Sequence, residues 1–387
     1  MSEIIEYRDP DTGFGGWLAY DGSASPLAAG GCRMQPGLTG AELAVLAGRM
    51  TLKQRVLGLN VDGAKCGIDY DPRQPDALEA MGRFLAFISE QLRTRFSMGP
   101  DMGTRWPDLQ QLVVRAGVPS PKYAIKTAQG LSYEEFVVRI GRLEDRVGQL
   151  TLSQRRAGHA LAHAAIGAAR AAGITGPVTC GMQGFGNLGR AVACSLAEEG
   201  VRLTAVADEH GCVADPGGLD VSGMLRSSLT APVPALHTQG ERLPSGELFH
   251  RPADVLILAG AADAMSDKDT ASPPFGCVVV GANCGLSDEA EAALHSRGVL
   301  VVPDFIGGIG GSASMEALFG PAEPPTAAQV LDNLARMMRD LVDDLMSITR
   351  RDGIAPRDAA AALAAATKAD PAATPYGHCR YLTSTVH

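Results

Sequence analysis

The stretch VTCGMQGFGNLGRAVACSLAEEGVRLTAVAD, residues 178–208, constrains this chain more than any other. A short apolar run enters a GxGxxG turn at Gly184, Gly186 and Gly189, a helical pattern follows, and a second apolar run ends at Asp208. Strand, glycine turn, helix and strand in that order form the parallel unit that cradles a pyrophosphate. The first glycine allows the tight turn, the second lets phosphate approach the backbone, and the third lets helix pack on strand. Phe185, Asn187 and Leu188 complete the turn, and the helix N-terminus faces the anion. Asp208 lies nineteen residues beyond Gly189, where a carboxylate accepts hydrogen bonds from the adenosine ribose hydroxyls. With Glu209 it would repel a ribose phosphate, so the expected cofactor is NAD rather than NADP.

Around this unit the texture is that of an α/β protein in two domains. ADVLILAG, CVVVGAN and GVLVVPDF are valine-rich runs flanked by glycine or aspartate, and they read as further buried parallel strands. Residues 151–324 are therefore expected to form a Rossmann-type NAD-binding domain. Residues 1–150 read differently: GFGGWLAY as a strand, TGAELAVLAGRMTLKQRV as a helix with Leu43, Leu46 and Met50 on one face, and DALEAMGRFLAFISEQL as a second amphipathic helix. The proline-rich GPAEPPTAAQ breaks the chain before a long helix that ends at Gly353. The tail after Asp370 reads as loose.

Composition narrows the partners. With 45% hydrophobic and 20% charged residues in 387, the chain suits two buried cores. A net charge of −9 without long blocks speaks against nucleic acid or an anionic membrane as partner. The N-terminus is charged, and no apolar run reaches membrane-helix length, so a cytoplasmic location is expected. The eight cysteines (32, 66, 180, 194, 212, 277, 284 and 379) include no CxxC pair, so neither a zinc site nor a disulfide framework is expected.

Three charged residues stand out in the first domain. Lys65 lies among glycines and small residues in LGLNVDGAKCGIDYDP, which locally reads as a tight turn or hairpin. Lys53 ends the helix in MTLK, and Asp101 lies in GPDMGT. Singly they read as a surface lysine, a solvated helix terminus and a cap.

Taken in order, AAGGCRMQP, LAGRMTLK, DGAKCGIDYDP, GPDMGT, GFGNLG, VVVGAN and VVPDF with its following glycines resemble the glutamate/leucine/phenylalanine/valine dehydrogenase family. The resemblance runs over about residues 12–366 and is nearest to the phenylalanine and leucine enzymes in its motifs. It implies NAD(P)-linked oxidative deamination of an L-amino acid to a 2-oxo acid and ammonia, or the reverse. It further implies a first domain for substrate and homo-oligomerisation, with residues 325–387 packing back across the hinge. Lys53 resembles the lysine that binds the α-carboxylate, Lys65 the catalytic lysine with a lowered pKa, and Asp101 the acid that shuttles protons. Gly30 and Gly31 match the glycine pair beside the substrate, and Asn283 the asparagine beside the nicotinamide ribose.

Departures from the family's pattern bear on the same site. Asp62 replaces the first of two glycines before Lys65. Gly308 and Cys284 each replace an asparagine, and Arg155 or Ala157 stands where a threonine is expected. A carboxylate beside Lys65 would favour the charged ammonium unless it points away. These departures open two alternatives, a non-catalytic NAD-binding regulator and a dehydrogenase for a non-standard amino acid. The stretch GGIGGSAS reads as a flexible loop. Ala29 stands where glutamate-specific relatives carry a lysine, so no cation is offered at that position to a side-chain carboxylate and glutamate is expected to be a poor substrate. A large apolar or aromatic substrate is therefore expected, against a wall shaped by Ala29, Cys284 and Met315.

Overall fold

The apolar runs pair as two sheets in the computed structural model, which describes residues 2–382. The first sheet holds β1 (Ser2–Arg8), β2 (Gly15–Asp21), β3 (Leu27–Met34), β4 (Val61–Ile68) and β5 (Phe96–Pro100), in the order β1-β2-β4-β3-β5. β3 runs parallel to β4 and β5, while β2 is antiparallel to β1 and β4. The glycine-rich stretch around Lys65 is thus no hairpin: it is β4, an interior strand buried along its whole length. Its glycines let a helix lie against it. A Cβ at Gly63 would stand 1.9 Å from the carbonyl oxygen of Ala47, in the Gly40–Val56 helix. The WLAY strand, β2, is enclosed between β1 and β4, so the free edges of this sheet are β1 and β5.

A short hairpin, β6 (Arg146–Val147) and β7 (Leu150–Thr151), precedes the Leu152–Ala171 helix. The second sheet follows with β8 (Thr179–Gln183), β9 (Arg202–Asp208), β10 (Gly211–Ala214), β11 (Glu241–Leu243), β12 (Val255–Leu258), β13 (Cys277–Val280) and β14 (Leu300–Val302). Its order is β11-β10-β9-β8-β12-β13-β14. The five expected strands are parallel, and β10 and β11 extend one side as an antiparallel edge. β8 has β9 on one side and β12 on the other, so the chain switches direction across the sheet there. Such a crevice at the carboxyl ends of the strands is where doubly wound folds bind ligands.

Two segments expected to be loose are ordered by contacts. GGIGGSAS spans the end of the Asp304–Gly307 helix and the start of the Gly310–Phe319 helix. Its glycines serve close packing, since a Cβ at Gly310 would lie 2.7 Å from that of Ala160. Of the tail after Asp370, the described residues up to 382 are tied down by Asn60, whose amide donates to the carbonyls of Asp370 (2.6 Å) and Ala373 (2.8 Å), and residues 383–387 lie outside the described residues. Glu316 accepts from the backbone N–H of Gly377, and Tyr376 is buried. The long Ala327–Asp352 helix packs on the Leu152–Ala171 helix, and the Pro356–Ala365 helix returns to the Gly40–Val56 helix of the first sheet. No helix among the described residues is long and apolar enough to cross a membrane.

Candidate active site

The glycine turn after β8 has the geometry its sequence demands. Gly184 adopts φ +94° and packs so closely on the β12 turn that a Cβ would lie 2.8 Å from the Cα of Gly260. Gly186 caps the Asn187–Glu198 helix, and a Cβ there would meet nothing within 4 Å, so the approach to the helix N-terminus is open. A Cβ at Gly189 would stand 2.1 Å from the carbonyl oxygen of Gly184. Phe185 is buried, with the Arg190 guanidinium 5.4 Å from its ring centroid. These residues fit a dinucleotide pyrophosphate, and residues 184–189 would hold it. Asp208 ends β9 as expected, but its carboxylate also builds the local turn. It accepts from the N–H groups of His210 (2.9 Å), Gly211 (3.1 Å) and Val233 (2.7 Å).

A cavity of about 250 Å³ opens between the two sheets. Ala29, Gly30 and Gly31 of β3, Lys53 of the following helix, Lys65 of β4 and Asp101 after β5 all line it from the first domain. Asn283, Gly308 and Met315 line it from the second. Lys65 Nζ donates to Asp101 Oδ2 at 2.7 Å, and Arg33 Nε donates to the same oxygen at 3.0 Å. Burial works to raise the Asp101 carboxyl, but Lys65 and Arg33 outweigh it and hold the group below its usual value. Gly31 makes room for this cluster, since a Cβ there would lie 3.0 Å from Asp101 Cβ and 3.1 Å from Lys65 Nζ.

Lys53 reaches across to the second domain. Its ammonium donates to Asn283 Oδ1 (3.1 Å) and the Gly308 carbonyl (3.3 Å). Burial pushes its pKa down to about 8, with Asp304 opposing that shift and Lys65 adding to it. Gly308 is what lets the lysine arrive: a Cβ there would stand 3.1 Å from Lys53 Nζ and 2.7 Å from the Asp304 carbonyl. The lost asparagine side chain is thus replaced by a backbone acceptor. Asp62 does point away from Lys65. Lying three residues earlier on β4, it faces the other side of the sheet, where it accepts from Arg55 and from Ser25 N (3.0 Å) and Oγ (2.9 Å).

Two features of the cavity wall bear on its chemistry. Cys284 does not line the cavity. It sits beside it at φ 55°, its thiol receiving a hydrogen bond from Arg49 and its N–H donating to Asp304 Oδ2 (3.0 Å). The absence of a cation at Ala29 does not make the pocket neutral, because Lys122 and Arg156 both line it. Arg155, where the family's threonine was expected, turns instead to Glu198 and Ser195. Sequence reasoning also missed Arg33 and Asp304. Arg33 was findable as the residue two beyond Gly31 on the same strand face, and Asp304 as the carboxylate of VVPDF.

Fold and site together define a two-domain α/β protein whose glycine turn fits a dinucleotide pyrophosphate and whose domains share one charged cavity. The profile described as Glutamate/Leucine/Phenylalanine/Valine dehydrogenase matches residues 153–374, and that of the Glu/Leu/Phe/Val dehydrogenase dimerisation domain matches residues 2–115. The chain belongs to this amino acid dehydrogenase family. Glutamate dehydrogenase of Thermotoga maritima is 27% identical over 366 residues, covering 91% of this chain and 84% of the relative. Among solved structures, hetero-hexameric glutamate dehydrogenase of Thermus thermophilus in a leucine-bound form aligns with TM-score 0.73 and 27% identity, covering 94% and 87% of the two chains. L-tryptophan dehydrogenase of Nostoc punctiforme shares the fold at TM-score 0.60 and 17% identity, covering 94% and 96%. Matching relatives include both NADP-specific and NAD-specific glutamate dehydrogenases, from Saccharolobus shibatae and Staphylococcus aureus.

Proposed function

We propose that this chain oxidatively deaminates an L-amino acid to its 2-oxo acid and ammonia, or runs the reverse reductive amination. The observation that carries the reading is the convergence of Lys53, Lys65 and Asp101 on one cavity facing the dinucleotide-binding domain. Lys53 would bind the α-carboxylate as a compact point charge, exchanging its bonds to Asn283 and Gly308 for it. Lys65 would activate the water that attacks the imino carbon. Asp101, already bonded to Lys65, would carry protons to and from the nitrogen as ammonia leaves. The dinucleotide supplies the hydride acceptor when bound. Arg33 would keep Asp101 ionised and aimed at Lys65.

NAD is preferred over NADP in this reading, on the carboxylates of Asp208 and Glu209 at the end of β9. The three backbone bonds to Asp208 hold that carboxylate in place and leave one lone-pair site, on Oδ2, for a ribose hydroxyl. Ala29 and Met315 support a roomy, largely apolar stem region for the side chain. The first domain would carry a homo-oligomeric interface, as the dimerisation profile over residues 2–115 suggests. The regulator alternative loses its motive, since Asp62 serves Arg55 and the Gly308 carbonyl serves Lys53.

The test is formation of reduced cofactor with a panel of L-amino acids and each of NAD and NADP, in wild type, Lys65→Ala and Asp101→Asn. The reading expects amino-acid-dependent reduction that both variants lose. Equal activity in all three proteins would defeat it.

A further inference from the structure

Five cationic side chains line the substrate cavity, Arg49, Lys53, Lys65, Lys122 and Arg156, against a single carboxylate, Asp101. Lys65 is paired with that carboxylate. Arg49 is exposed and turned to Cys284. Lys53 is the group that would take the substrate's α-carboxylate. Lys122 and Arg156 are left over, and a substrate's α-ammonium adds a further positive charge.

Both are built into the fold. Lys122 is only 7% exposed, and its ammonium has no hydrogen-bond or ion-pair partner among the described residues. It stands 3.7 Å from where a Cβ at Gly99 would be, and Gly99 pairs across the sheet with Gly31, the glycine that packs on Lys65. Arg156 comes from the other domain, in the second turn of the Leu152–Ala171 helix. One of its terminal nitrogens donates to the Gly311 carbonyl (3.1 Å) and Ser314 Oγ (2.6 Å), while its Nε is buried without a partner. Burial, and then the charge of Arg156, push Lys122 down to about 7, and burial brings Arg156 to about 10. Two cations lining one cavity with no carboxylate partner of their own are costly in an empty or apolar-filled pocket, and an oxyanion placed between them removes the cost.

We propose that Lys122 and Arg156 form a subsite for an oxyanion at the end of the substrate's side chain, so that the amino acid taken is acidic at that terminus. This rests on the dehydrogenase reading and supplies from two other elements, one in each domain, the charge that Ala29 does not. The stem of such a side chain would run past Ala29 and Met315, whose small and flexible side chains leave it room. An anion bridging the two domains would also favour their closure over the reacting carbon.

The experiment compares kcat/KM at pH 7 for L-glutamate, L-2-aminoadipate and L-2-amino-4-phosphonobutyrate with the neutral L-glutamine, L-methionine, L-leucine and L-phenylalanine. Wild type, Lys122→Met and Arg156→Met are each measured, with thermal unfolding as a check of folding. The expected result is a preference for at least one acidic substrate over its neutral counterparts. Each variant should lose about 10- to 100-fold of kcat/KM on that substrate, the loss expected of a charged hydrogen bond, and keep or improve activity on leucine. Turnover of leucine or phenylalanine ahead of every acidic substrate overturns the subsite and leaves the dehydrogenase standing. So does an equal loss on acidic and neutral substrates in folded variants. Failure to turn over any amino acid overturns both.

Discussion

The glycine turn after β8 and the charged cavity between the two sheets are held by different forces. In the turn, backbone meets backbone: Gly184 against Gly260 and Gly189 against Gly184, with no charged side chain required. In the cavity, side chains from separate segments of both domains meet, and charge decides their arrangement. Asp101 is held by Lys65 and Arg33, and Lys53 by carbonyl groups from the opposite domain. The turn should therefore respond to added volume and ignore pH, while the cavity should respond to removed charge and to pH.

The largest departure is expected from removing the cavity's central cation. Lys65→Ala should lower kcat roughly a thousandfold, within the range of general acid–base catalysis, while dinucleotide affinity stays within about twofold of wild type. Stopped-flow turnover and cofactor titration by fluorescence separate the two. A matching loss of cofactor binding would erase the division between the regions. The reciprocal change, Gly189→Val, forces side-chain atoms toward the Gly184 carbonyl. About 1–3 kcal/mol of overpacking should weaken cofactor binding with little change in the KM for the amino acid.

How much of each region can be read in advance follows from the same contrast. The turn is local, so GFGNLG between two apolar runs discloses its strand, its helix and the role of each glycine. Lys53, Lys65 and Asp101 are distant in sequence, and only the order of motifs around them ties them together. Lys122 in SPKY and Arg156 in SQRR look like ordinary solvated residues, because what distinguishes them is a charge imbalance that exists only once both domains are folded. The same limit explains the tail after Asp370, whose order over the described residues depends on Asn60 and Glu316.

A third, smaller effect concerns pH. Lys53, with its pKa lowered to about 8, carries its proton below that value and loses it above, so KM for every amino acid should rise above about pH 8. Lys122, lowered to about 7 and facing Arg156, with Lys65, Asp101 and Lys53 in the same cavity, should act earlier and more selectively. Anion binding favours its protonated form, so KM for an acidic substrate should begin to rise near pH 7, by at most about tenfold per unit. Neutral substrates should not show that first rise. Identical profiles for both classes would remove Lys122 from substrate recognition.

The smallest effect on turnover is expected at Asp62, on the far face of β4 from Lys65. Asp62→Ala strands Arg55 without its buried partner, so stability should fall by about 3–5 kcal/mol while kcat at low temperature changes less than about twofold. Urea unfolding and initial rates on one preparation check this. A large fall in kcat with unchanged stability would place Asp62 in the catalytic cluster after all.

In the proposed reaction the Lys65–Asp101 pair completes an amino acid deamination begun by hydride removal at the α-carbon. Its most direct test is a product balance on the preferred substrate, with reduced nicotinamide, 2-oxo acid and ammonia measured in one reaction. All three should form in equal amounts in wild type and be lost together in Lys65→Ala. Reduced nicotinamide formed without ammonia, or an equal yield of ammonia from the Lys65→Ala protein, would contradict it.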